Sequence, residues 1–129
     1  MNVHEAIANA EAVLPGVAAL DGEEDPRWQV IIALADFVDD EPDLLWSFVE
    51  QWGQPTDEDL QAAIATCLLE HLLESHFDLL FPRVEHLVRS NGCFARTAGM
   101  CWKFGEAEHP ENAARWKELL RELKDRCET

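Results

Sequence analysis

Two stretches of this chain repeat, and the repeat constrains the fold more than any other feature. Asp43 to Trp52 reads DLLWSFVEQW and Asp78 to Leu87 reads DLLFPRVEHL. Asp, Leu, Leu, Val and Glu coincide at an offset of 35 residues, and Trp46 meets Phe81. Upstream, Asp25 to Ala33 (DPRWQVIIA) and Asp57 to Ala65 (DEDLQAAIA) share Asp, Gln, Ile and Ala at an offset of 32. The two matches fall in the same chain order, so a unit of about 33 residues recurs.

The unit is a pair of helices. Breakers divide the chain at LPG (14–16), LDGEEDP (20–26), DDEP (39–42), WGQPTDED (52–59), SNG (90–92) and FGEAEHP (104–110). Helical spacing runs between them. Val3, Ile7, Ala10 and Leu14 form one stripe, and Leu44, Leu45, Phe48, Val49 and Trp52 another. Leu79, Leu80, Val84, Leu87 and Val88 form a third, and Ala113, Trp116, Leu119, Leu120 and Leu123 a fourth. Pro26, Pro42 and Pro110 stand where a first helical turn begins, and Asp25, Asp43 and Asp57 are natural N-caps. Pro82 must open its helix or kink it. No strand-like alternation extends beyond a few residues, which predicts an all-α fold. At 129 residues, 47% of them apolar, the chain is one domain, residues 1–129, with enough apolar surface for a core. Its units span about 25–54 and 57–90, with a degenerate third over 91–126.

Tandem antiparallel helix pairs build α-solenoids. DPRWQVIIALA (25–35) resembles the first helix of a HEAT-like repeat: Asp-Pro opens it, and Ala-Leu followed by a small residue closes it. Gln29 and Gln61 stand where that pattern often has Arg. The resemblance implies a short right-handed α-solenoid of antiparallel helix pairs, about seven helices in all, acting as an interaction scaffold rather than an enzyme.

Charge points the same way. The formal net charge is −16. Residues 1–82 hold eighteen Asp and Glu against one basic residue, Arg27, whereas residues 83–129 hold nine basic and eight acidic residues. Such a field repels nucleic acid and anionic lipid and attracts a basic protein. The excess gathers in turns ahead of helices: DGEED (21–25), DDEPD (39–43) and TDED (56–59). The helix dipole favours one or two acids at such a place, and neighbouring like charges oppose more. Glu23, Glu24, Asp39, Asp40, Glu41, Asp57, Glu58 and Asp59 are therefore candidate partner-binding residues, on two edges of the helix stack. Trp52, ending its helix beside GQP, is a candidate apolar anchor. Trp28, Trp46, Trp102 and Trp116 are expected in the core.

ATCLLEHLLESHF (65–77) invites a different reading. Cys67 and His71, four residues apart, could share a metal, but no second pair supplies further ligands. On a helical wheel Leu60, Ile64, Cys67, Leu68 and His71 share one side, and Leu69, Leu72 and Leu73 cover much of the other. Asp59, Thr66, Glu70 and Glu74 form a narrow polar strip. That predicts a helix sandwiched in the core, with Cys67 and His71 inward and Glu70 and Glu74 outward. No cofactor is called for, since no phosphate loop, nucleophile elbow or zincin motif occurs. Cys67, Cys93, Cys101 and Cys127 form no C-x-x-C pair, and no apolar run approaches the ~20 residues of a spanning helix. The expectation is a cytoplasmic protein with reduced thiols.

Three functions are in view. The first is a non-enzymatic module that docks a basic protein on its acidic two-thirds. Its size, acidity and HEAT-like helices are similar to bacterial immunity proteins that cap cationic toxins. The second is a metal protein or enzyme built on Cys67, His71 and nearby carboxylates. The third is a structural or oligomerisation module.

Overall fold

In the computed structural model, residues 2–14, 26–54, 58–102 and 105–122 are described. They are helical throughout, joined by turns, and no strand occurs among them. Helix α1 spans Val3–Val13, α2 Pro26–Leu34, α3 Pro42–Trp52, α4 Glu58–Ile64, α5 Glu70–Ser90, α6 Gly92–Gly99 and α7 Pro110–Glu122. A 3₁₀ turn, Ala35–Phe37, extends α2, and another, Gly105–Glu108, precedes α7. No helix of the described residues is long and apolar enough to cross a membrane.

Local chemistry accounts for the boundaries. Asn2 caps α1 by accepting from the Glu5 backbone N–H at 2.9 Å and donating to the Glu5 carboxylate at 3.1 Å, a reciprocal box that satisfies an orphan donor. Pro26, Pro42 and Pro110 are each the first residue of a helix, as their fixed φ favours. The expected cap at Asp43 is displaced: Glu41 holds the N-cap position of α3 without a side-chain bond. Asp43 sits inside the first turn instead and pairs with Arg83 at 2.7 Å. Asp25 and Asp57 lie outside the described residues.

Helix α2 packs on α1 and α4, α4 on α6, and α3 on α4 and α5, while α5 meets α6. The second 3₁₀ turn lies on α5, and α7 packs on that turn and α6. Polar bonds join the starts of α2, α4 and α6. Arg27, buried, reaches Asp59 at 2.9 Å. Gln61, fully buried, donates to the Cys93 carbonyl at 3.2 Å and accepts from Arg96 at 2.8 Å. Arg27 and Asp59, and Gln61 and Cys93, stand 32 residues apart, the offset of the sequence repeat.

The predicted stripes lie mostly in the core: Val3, Ala10 and Leu14; Leu45, Phe48 and Val49; Leu80, Val84 and Val88; Trp116 and Leu119. Leu79 departs from its stripe and is 45% exposed. Trp46 and Trp116 are buried, and Trp28 packs at the core's margin. Trp102 is corrected. It follows α6 in a non-helical link and is 71% exposed.

Between α4 and α5 the chain makes one π-helical turn, Ala65–Leu69, with the Glu70 N–H bonded to the Ala65 carbonyl. The Thr66 hydroxyl donates to the Ala62 carbonyl at 2.8 Å, a back-bond that suits an interrupted ladder. A π turn takes up one extra residue. Just downstream, side chains are offset by one residue from a uniform wheel. Leu72 takes the direction expected of His71, His71 that of Glu70, and Glu70 that of Leu69. Glu70 is accordingly buried and His71 half-exposed, which reverses the expectation for both.

A second irregularity falls at His76, whose φ of −136° and ψ of 42° break α5. Glu106, from the second 3₁₀ turn, accepts from the Phe77 backbone N–H at 3.1 Å. It does for the second half of α5 what a capping side chain does for any helix start. Pro82 lies within that second half, beyond its opening turn.

Candidate protein-docking edge

The two acidic edges differ. On the edge where α2, α4 and α6 begin, the acids are engaged within the chain. Asp59 accepts from Arg27 and, at 3.2 Å, from the Trp28 indole. Glu58 pairs with Arg96 at 3.3 Å. The three basic or indole groups tie α2 and α6 to α4, and they engage carboxylates that the sequence offered to a partner. Glu23, Glu24 and Asp57 lie outside the described residues.

The opposite edge is formed by the turn between the first 3₁₀ helix and α3. Val38 is buried, which pins the turn to the core, and the Glu41 N–H donates to the Phe37 carbonyl at 2.9 Å. Two long-range bonds tether the turn to α5. His76 Nε2 donates to the Val38 carbonyl at 3.1 Å, and Arg83 holds Asp43 at 2.7 Å. Asp39 and Asp40 are exposed and Glu41 is half-buried. Among the described residues no cation and no side-chain donor engages these three carboxylates. Three adjacent anions are thus held on this turn without a counter-charge among the described residues.

Trp52 is not displayed as an anchor. It packs at the core's margin beside Phe48, ring centroids 6.3 Å apart. Its indole nitrogen is buried without a hydrogen-bond partner among the described residues.

The Cys67 neighbourhood is arranged for packing. Glu70 accepts from the Trp102 backbone N–H at 3.1 Å, so it anchors the link after α6. His71 Nδ1 and Glu74 Oε1 lie 3.0 Å apart, both about two-fifths exposed. Cys101 donates to the Ala65 carbonyl. Burial raises the Cys67 thiol above its ordinary pKa, with the Thr66 hydrogen bond opposing and the Glu70 charge adding to the rise. Burial, then the Glu70 charge, pushes Cys101 well above it. Both thiols are therefore held in the protonated form at neutral pH. No group of three His, Cys, Asp or Glu that could hold a metal occurs among the described residues.

Cys93 is disulfide-bonded, which corrects the expectation of reduced thiols at that position. Cys67 and Cys101 are free. Motif spacing is blind to such pairing, because a disulfide depends on proximity in space. The cytoplasmic expectation loses its cysteine support accordingly.

The thiols predict a pH effect. A folded pKa above the unfolded one means that folding favours the protonated thiol. That stabilisation is complete below the ordinary thiol value, roughly pH 8.5, and drains away as pH rises through the folded value. The urea midpoint should fall between pH 8 and 10, and Cys101→Ala should flatten that fall. An equal fall in the variant would count against the burial argument.

Sequence reasoning missed Trp102 and Leu79 as exposed apolar side chains, and no residue pattern marks either one. No protein-family model, no curated protein and no solved structure matches this chain.

Proposed function

We propose that this chain is a non-enzymatic protein-binding module that docks a basic protein on the turn carrying Asp39, Asp40 and Glu41. The observation that carries this reading is the contrast between the edges. Glu58 and Asp59 are neutralised by Arg96 and Arg27, while the three acids of the other turn have no internal partner among the described residues. A rigid, uncompensated anionic turn steers a cationic partner and meets it without reorganising. HEAT-like stacking suits the role. Contacts of α2 with α4 and α4 with α6, together with bonds at the repeat offset, support a short solenoid of helix pairs. An immunity protein that caps a cationic toxin is one concrete form of such a module.

The test uses a fluorescein-labelled Lys/Ser peptide and anisotropy at physiological ionic strength. Neutralising Asp39→Asn, Asp40→Asn and Glu41→Gln together should weaken binding about tenfold, roughly 0.5 kcal/mol per rim charge. Neutralising the exposed Glu11, Glu50 and Glu108 changes the net charge equally and should weaken it less than threefold. Equal losses in the two triple variants would make the binding a matter of bulk charge and refute the docking turn.

A further inference from the structure

Leu79 is one of three large apolar side chains that the described residues leave exposed, with Ile32 and Trp102. Its place on α5 sets it apart. Arg83, one turn further along the same face, reaches Asp43 on the acidic turn. His76, three residues before Leu79, reaches Val38 on the same turn. The acids Asp39, Asp40 and Glu41 lie between those two tether points. Leu79 shares the helix face of Arg83, whose guanidinium reaches the turn at Asp43. Asp78, next to it, is exposed too.

A half-exposed leucine on a fixed helix, bordered by uncompensated carboxylates, has the make-up of an interface centre: an apolar contact with a charged rim. Its charge selects the occupant. A second copy of this chain brings another −16 and is repelled, and so are nucleic acid and anionic lipid. We propose that Leu79 and the 39–41 turn form one docking spot for a cationic amphipathic segment of a partner protein. One apolar side chain of that segment covers Leu79, and its flanking lysines or arginines meet Asp39 and Asp40. The proposal rests on the docking turn argued above and adds the apolar contact that converts steering into a specific complex.

Two labelled peptides of equal charge separate the two ideas: the Lys/Ser peptide, and one in which leucine replaces serine at helical spacing. The leucine peptide should bind the protein about tenfold more tightly, as covering the exposed half of a leucine allows. Leu79→Ser should reduce that advantage to less than threefold while leaving the Lys/Ser affinity unchanged. Because Leu79 is exposed, the variant should keep the parent's melting temperature within a few degrees. An advantage that survives Leu79→Ser, or no advantage at all, overturns the apolar spot and leaves the acidic turn standing. Lys/Ser binding that ignores the 39–41 neutralisation overturns the turn itself. Sedimentation equilibrium of the protein alone is expected to show a monomer. A dimer dispersed by Leu79→Ser would give the spot to a second copy and overturn the proposal.

Discussion

Phe81→Ala should lower the unfolding free energy by about 3–5 kcal/mol. The Phe81 ring is fully buried. It stacks on Phe77 with centroids 4.7 Å apart and meets Trp116 edge-on at 5.8 Å. The Arg115 guanidinium covers it at 4.7 Å. The ring therefore joins the second half of α5 to α7, and its removal opens a cavity that two helices and a cation line. Aromatic geometry adds to the transfer term. Urea unfolding followed by tryptophan fluorescence and far-UV circular dichroism reads the loss directly. A loss below about 1.5 kcal/mol, less than a typical cavity, would mean that α7 does not rest on this ring.

Gly105→Ala should cost about 2–4 kcal/mol, and two separate causes add up to it. Gly105 has a φ of +51°, where a side chain crowds its own backbone. A Cβ there would also stand 2.7 Å from Glu74 Cγ and 2.8 Å from the Glu74 carbonyl oxygen. The side chain can give way, but the carbonyl belongs to α5 and cannot move alone. Gly105 opens the 3₁₀ turn that delivers Glu106 to the Phe77 N–H. The damage should therefore appear first at the His76 break, as faster amide exchange at Phe77. Gly99→Ala is the matched control. Nothing lies within 4 Å of a Cβ at Gly99, in the last position of α6, so alanine should be neutral or stabilise by up to about 1 kcal/mol. Similar losses for both variants would remove the case for a close approach at Gly105.

Much of the helical layout is legible in the residues. Helices start at Pro26, Pro42 and Pro110 because proline's φ and missing N–H suit a first turn. The core stripes follow from the 3.6-residue period, and the repeat offset reappears in bonds such as Arg27–Asp59. The wheel misled at Glu70 and His71 because it assumes a uniform rotation. The π turn at Ala65–Leu69 shifts Glu70 and His71 by a residue.

The candidate site divides in the same way. Charge count is a property of composition, so the acidic two-thirds and the sign of its field needed no coordinates. Whether a given carboxylate is free depends on which cation lies within reach across the fold. Asp59 meets Arg27 from 32 residues away, Asp43 meets Arg83 from 40 away, and Asp39 and Asp40 meet none among the described residues. Leu79, too, belongs by pattern to a buried stripe and is exposed by packing. The sequence alone determined the helices, their repeat and the sign of the field, because propensity, periodicity and charge are local or additive. Only the tertiary structure decided which acids are paired, which way the helix around Glu70 faces and which apolar side chains stay exposed. Those depend on distances between residues far apart in the chain.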